Sequence, residues 1–347
     1  MKKIFLTIFA ILALIFSSCS NKVELYADEG THTIVYALLD PDADTNFFKI
    51  TKSFIGNVQE LSQNYDANNY QFDEIEVRLT GVFDGANTAT QTLTLDTISR
   101  WIPEDNTQSF YNGCYQTYYY TAEKLLPDNE YLIEVYRKAD GVTSSARVKM
   151  INTFRITQVS LSPISQYTPP TIDLLKSSDR IRVMWKSTPL VSSAAYFEVY
   201  GIFEYFERQP GSSTITTQYI EWKIAANEAE KLYNSTDMVY FAKYKPSTFL
   251  RLFENNKHLV ENSQPGVSRG FGKFTIKVMA FGDELYRYHI INNASSAIQE
   301  VPNYTNVENG YGIVSSYIMK AVECDLEIQS QRYIIETYPQ FGFSESF

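Results

Sequence analysis

The feature that most constrains this fold is a two-residue alternation of apolar and polar side chains, repeated in short runs that turn-forming residues interrupt. Residues 74–80 show it cleanly: Ile75, Val77 and Leu79 fall on one face, Glu76, Arg78 and Thr80 on the other. That spacing is the mark of a strand with one buried side. Residues 31–39 are nearly continuously apolar, which predicts a strand covered on both faces. Asp40-Pro41-Asp42-Ala43-Asp44 then turns the chain into a further strand at 47–54. Asp84-Gly85 marks a hairpin before a strand at 90–97, and Asp140-Gly141 a second one between 131–136 and 146–150. Strands at this spacing predict an antiparallel sandwich over residues 30–157.

The stretch 158–178, with Pro163, Pro169 and Pro170, reads as a linker, and beyond it the same grammar restarts. Ile181, Val183 and Trp185 share a face, 196–205 is an aromatic strand, and 214–224 and 274–281 alternate. Between them the period changes. Residues 227–233 and 247–256 place apolar side chains at helical spacing, as with Phe249, Leu252 and Phe253, and a last helix is expected near 329–337. The expected fold class is therefore mainly β, with two antiparallel β-sandwich domains, the second (179–347) carrying short helical insertions. A chain of 347 residues is long enough for two hydrophobic cores.

Composition excludes some functions. A formal charge of −10 without a basic cluster argues against nucleic acid, whose binding rests on neutralising phosphates. An apolar content of 44%, with 26 Tyr and 22 Phe, argues against disorder.

The amino terminus is a targeting segment. Lys2 and Lys3 precede the apolar run 4–16, which is too short to span a bilayer as a helix, and Ser17-Ser18 lead to Cys19. Phe16-Ser17-Ser18-Cys19 resembles the lipobox of bacterial lipoproteins, although Phe16 stands where Leu is usual. The resemblance implies a signal peptide at 1–18, lipidation of Cys19 and a tether over 19–29; the alternative is an ordinary signal with a chance Cys at its end. Several acyl chains hold a protein stably on a membrane where one does not. Cleavage removes Lys2 and Lys3, so the body becomes more acidic still and should stand off an acidic surface. A secreted chain permits a disulfide between Cys114 and Cys324, but one widely spaced pair makes no scaffold, and two buried thiols are the simpler expectation.

No catalytic constellation stands out. Gly266-Val267-Ser268-Arg269-Gly270 matches the G-x-S-x-G string, yet a strand follows it where a nucleophile elbow needs a helix. His32, His258 and His289 are the only bases of that kind, and none sits in a supporting motif. Asp40, Asp42, Asp44 and Asn46 imitate the start of a calcium loop, but Thr45 and Thr51 occupy the positions of its glycine and bidentate glutamate, so an Asx turn is expected. No Cys or His pair has zinc-ligand spacing. The expectation is a protein without metal or cofactor. The remaining candidates are aromatic: Tyr111, Tyr115, Tyr118, Tyr119 and Tyr120 crowd one stretch near Trp101. Exposed, they would offer flat apolar faces with polar edges to a sugar or peptide; buried, they would fill a core or form cross-strand pairs. Consecutive Tyr118, Tyr119 and Tyr120 on a strand must face both ways.

Two resemblances extend this reading. Leu125, Pro127 and Tyr131, entering an alternating strand, resemble the fibronectin type III pattern, which implies a Tyr hydroxyl bonded back to the backbone at the corner between sheets. The mature chain as a whole is similar to an uncharacterised family of lipoproteins from Bacteroidota. The segments Ile34-Val35-Tyr36-Ala37-Leu38-Leu39-Asp40-Pro41 and Pro302-Asn303-Tyr304-Thr305-Asn306-Val307-Glu308-Asn309-Gly310-Tyr311-Gly312-Ile313 carry that likeness. Asn309-Gly310 and Gly312 suggest a tight turn where side chains would obstruct the chain. The resemblance implies an outer-membrane lipoprotein, held by lipid on Cys19, acting as a non-enzymatic accessory or binding subunit beside a TonB-dependent receptor. It transfers no catalytic residue and leaves open which face of the membrane the protein occupies. The alternative is a glycan- or peptide-binding module acting alone through Trp101, Tyr115, Tyr118, Tyr119 and Tyr120.

Overall fold

A computed structural model of the chain describes residues 31–53, 70–83, 88–102, 114–127, 129–165, 168–176, 182–187, 194–227, 230–231, 238–294 and 304–347. Cys19, the tether, Tyr111 and the Asp84-Gly85 turn lie outside the described residues. The fold is mainly β with a few short helices, as expected. The first half supplies β1 (Thr33–Leu39), β2 (Asn46–Lys52), β3 (Ile75–Phe83), β4 (Ala89–Thr94), β5 (Asp96–Ile102), β6 (Cys114–Thr121), β7 (Asn129–Arg137) and β8 (Thr143–Lys149). Strands β3 and β4 pair antiparallel, as do β7 and β8, so both expected hairpins form. The segment read as a linker holds the end of β9 (Phe154–Ser160), then β10 (Ser162–Pro163) and β11 (Thr171–Ile172). Next come β12 (Arg182–Ser187), β13 (Tyr196–Arg208), β14 (Ile215–Asn227), β15 (Glu230–Lys231) and β16 (Met238–Lys243). Helices α1 (Pro246–Glu254) and α2 (Lys257–Glu261) precede β17 (Ser268–Phe281), and α3 (Asp283–Ala294) follows it. The chain closes with β18 (Val307–Glu308), β19 (Gly310–Leu326) and α4 (Ile328–Thr337).

One long sheet, ordered β14-β13-β17-β19-β1-β2-β6-β5, runs through both halves of the molecule. A sheet ordered β18-β8-β7-β3-β4 packs on one end of it, and a sheet ordered β10-β9-β12-β16-β15 packs on the other. The result is two sandwiches that share a wall. The shared element is β19. Its first seven residues pair parallel with β1, Thr33 opposite Gly310 through Leu39 opposite Ser316, and residues 317–324 pair antiparallel with β17. At the handover Ser316 is fully buried; its hydroxyl donates to the Leu39 carbonyl at 3.0 Å and accepts the Ile151 N–H at 3.2 Å. Asn309 adopts φ 52° in the turn before β19. A Cβ on Gly312, which has φ 118°, would lie 1.9 Å from the Val35 carbonyl oxygen. Glycine there lets β19 approach β1 and tolerates a backbone that side chains resist.

The hydrogen bond expected at the corner of the first sandwich is present. The Tyr131 hydroxyl accepts the Leu126 N–H at 2.7 Å and donates to Gln91 Oε1 at 2.6 Å. In the second sandwich Trp185 is fully buried, its ring 5.1 Å from Phe197 and stacked at 6.2 Å on Tyr240. Helix α1 forms where expected and buries Phe249 and Phe253, while Leu252 lies at the surface. Two sequence expectations change, and one helix forms where none was expected. Residues 227 and 230–231, within a stretch read as helical, are strand instead, because pairing of β14 with β13 and of β15 with β16 satisfies their backbone. Helix α3 arises without an apolar stripe; it docks on β19 through Leu285 N–H to Ser315 Oγ at 3.1 Å and Gly282 N–H to the Ser316 carbonyl at 2.8 Å. Strand β1 was expected to be covered on both faces, yet Tyr36 and Leu38 are about half exposed, because the second layer lies only on the face of Val35, Ala37 and Leu39.

Candidate functional site

The aromatic stretch singled out in the sequence sits on the terminal hairpin of the long sheet. Strand β6 pairs with the edge strand β5 so that Trp101 opposes Tyr115, Thr97 opposes Tyr119, and Ile98 opposes Tyr118. Alternation then divides the aromatics between two surfaces. Trp101 and Tyr115 share one face, their ring centroids 5.1 Å apart at 64°, with 53% and 60% of their surface exposed. Tyr119, on the same face, packs against the first core, and burial pushes its hydroxyl pKa upward. Tyr118 and Tyr120 point to the opposite face. There Tyr120 lies 6.0 Å from Phe47, whose ring also carries the Arg100 guanidinium at 4.7 Å. The five residues therefore form a pair, a core member and an outer-face pair.

The Trp101–Tyr115 pair is supported from below. Gln71 Nε2 donates to the Tyr115 carbonyl at 2.9 Å, and Gln71 Oε1 accepts the Thr117 hydroxyl at 2.8 Å. Thr117 in turn lies 3.3 Å from Ser99 across the strands. Two inclined aromatic faces with amides and hydroxyls alongside can stack on the apolar side of a sugar ring and meet its hydroxyls. On the outer face a groove of about 340 Å³ is lined by Tyr36, Leu38, Phe47, Lys49, Asp40 and Tyr118. Sequence reasoning missed Tyr36 and Phe47 as surface groups; the only signal was that a strand with one covered face must present its alternate residues elsewhere.

The other motifs resolve structurally. Asp40 accepts the Asp42 N–H at 2.8 Å, and Asn46 Oδ1 accepts the Asp40 N–H at 2.8 Å, which makes the acidic stretch an Asx-type turn. Burial would raise the Asp42 pKa, but Lys320, 2.7 Å away, and the Thr153 hydroxyl outweigh it and hold the carboxyl below its usual range. Ser268 of the G-x-S-x-G string is the first residue of β17, with Gly266 in the turn before it at φ 91°. Its neighbour Arg269 is fully buried and bonds Glu207 at 2.6 Å, while His258 Nε2 lies 3.2 Å from the same carboxylate. Arg269 also donates to the Phe341 carbonyl at 2.6 Å and the Asn262 carbonyl at 3.0 Å, so the cluster fastens α2 and the chain's last turn to β17. Cys324 is a free thiol in the second core, its pKa raised by burial to about 12; the Cys114 side chain lies outside the described residues. Among the described residues no group of three or more His, Cys, Asp or Glu could hold a metal ion, and no helix is long and apolar enough to cross a membrane.

Comparison with known protein families finds no model that matches the chain, and no curated protein matches it.

Proposed function

We propose that the chain is a non-enzymatic binding protein, anchored by lipid on Cys19 in the outer membrane, and an accessory or binding subunit of a TonB-dependent nutrient-uptake receptor. The observation that carries the binding role is the Trp101–Tyr115 pair. A large aromatic pair left more than half exposed, on a hairpin braced by Gln71, costs contact with water that recognition of a ligand would recover. The lipobox-like Phe16-Ser17-Ser18-Cys19 supports the anchor. A second reading, a stand-alone glycan- or peptide-binding module, is favoured by the position of the pair on the terminal hairpin of the sheet, where a ligand can reach it without a partner.

The test is mass spectrometry of what co-purifies with the tagged, full-length protein from gently solubilised native outer membranes. A receptor in stoichiometric amount supports the subunit reading. A protein emerging alone, but retarded by polysaccharide on native gels in a way that Trp101→Ala and Tyr115→Ala abolish, supports the module. Neither result, or a Cys19→Ala protein that still partitions into membranes, overturns the corresponding part.

A further inference from the structure

A cavity of about 710 Å³ lies in the second sandwich where β16 passes into α1. Lys243 and Lys245 flank it from that junction, Lys176 from the segment after β11, and Leu174, Leu250 and Tyr333 supply apolar wall. Three lysines along the lining of one cavity are conspicuous in a chain of formal charge −10. Lys176 is paired with Asp173 at 3.0 Å, and Asp173 also accepts the N–H groups of Leu175 and Lys176, so that carboxylate is held by its own loop. Among the described residues no carboxylate lies within ion-pair distance of Lys243 or Lys245. Lys243 is moreover directly opposite Arg182 across β12 and β16, and both cations lie over the Phe241 ring, at 5.9 and 5.2 Å. Like charges directly opposite one another destabilise a sheet, and among the described residues Arg182 Nε is buried without a hydrogen-bond partner. Among the described residues, Asp173 and the charge of Glu327 meet Lys176 alone, which leaves an excess of positive charge at Lys243, Lys245 and Arg182. The first turn of α1 carries no acidic residue, and its dipole adds to that excess without creating it.

We propose that this cavity binds a small organic anion bearing two or more acidic groups, such as a carboxylated or sulfated sugar. The ammonium groups of Lys243 and Lys245, with Lys176 beside them, meet its acidic groups, and Leu174, Leu250 and Tyr333 meet its frame. The volume is far larger than an inorganic ion needs and falls in the range of pockets that enclose small organic molecules.

Titration calorimetry of the full-length protein tests this with three probes at low salt: a sulfated disaccharide, citrate and inorganic sulfate. The disaccharide or citrate should bind, and added salt should weaken the binding. Lys243→Ala with Lys245→Ala should weaken it about tenfold or more, while Lys243→Arg with Lys245→Arg retains it. Both pairs alter exposed side chains, and an unchanged thermal melt confirms that the fold is intact. Silence from all three probes, equal binding by the Ala pair, or sulfate binding as tightly as the organic anions would each overturn the proposal, the last reducing the site to an adventitious ion only.

Discussion

The two sandwiches place the same residue types differently. The first fills its interior mainly with aliphatic side chains, among them Val35, Leu39, Ile50, Leu79, Ile133 and Val148, with Phe48 and Tyr131 as its large rings. The second is an aromatic core, in which Trp185, Trp222, Phe203, Phe249, Phe253 and Phe274 are all buried. Phe203 alone lies within about 6 Å of Tyr205, Phe249, Phe253 and Phe274. Of the three Trp, the two in the second sandwich are interior, and Trp101 in the first is on the surface. The contrast teaches that aromatic content alone does not separate a core from a platform. What separates them is whether the second sheet reaches over the position in question, as it does at Tyr119 and does not at Trp101 on the same face.

If that contrast is energetic as well as geometric, substitutions should rank accordingly. Trp185→Ala removes the ring that Phe197 and Tyr240 pack against and should cost about 3–5 kcal/mol in urea denaturation. A cost under about 1 kcal/mol would mean that the aromatic core is loosely packed. Gly312→Ala strains a positive φ and drives a methyl group into Val35, so a loss of about 3 kcal/mol is expected at the shared strand. If β19 is what couples the two sandwiches, that variant should also split a single transition into two; an unaltered single transition would refute the coupling.

Tyr131→Phe leaves the Leu126 N–H without its partner at the corner of the first sandwich, and should cost about 1–3 kcal/mol with little change in near-ultraviolet dichroism from the second. A pH effect belongs to the second sandwich. Burial would raise the Glu207 pKa, but hydrogen bonds and charge from Arg269 and His258 outweigh it and hold the carboxyl below 4.5. A carboxyl depressed on folding adds stability that is present above its unfolded value and lost as pH falls through the folded one. Urea midpoints should therefore drop on acidification below 4.5, and His258→Ala should make that drop shallower. An identical acid limb in the variant would show that His258 contributes nothing. The smallest expected effect on stability is that of Trp101→Ala, within about 0.5 kcal/mol, because the ring is exposed. A loss comparable to that of Trp185→Ala would make Trp101 a structural residue and remove the platform.

Much of the local structure was legible in the residues. Strict alternation at Ile75, Val77 and Leu79 specified β3, Leu125-x-Pro127 with Tyr131 specified the corner, and Phe249 with Phe253 specified the buried side of α1. These features rest on neighbours a few positions apart, whose spacing fixes which side chains share a face. The candidate surface was legible only as a cluster of rings: strand phase separated Tyr118 and Tyr120 from Tyr115, but nothing local showed that Tyr119 is held in a core while Trp101 is not. The cationic cavity was hidden as well, because Lys176 lies far along the chain from Lys243 and Lys245.

What the sequence determined by itself was the class of fold and individual strands such as β3, β7 and β13, since periodicity is a local property. What only the tertiary structure decided was that β19 joins β1 to β17, that one face of the long sheet stays open around Tyr36 and Leu38, and that three distant lysines border one cavity. Those outcomes depend on pairings between segments as far apart as residues 33 and 310, where hydrogen-bond register and the burial of Ser316, rather than any local pattern, settle which edges meet.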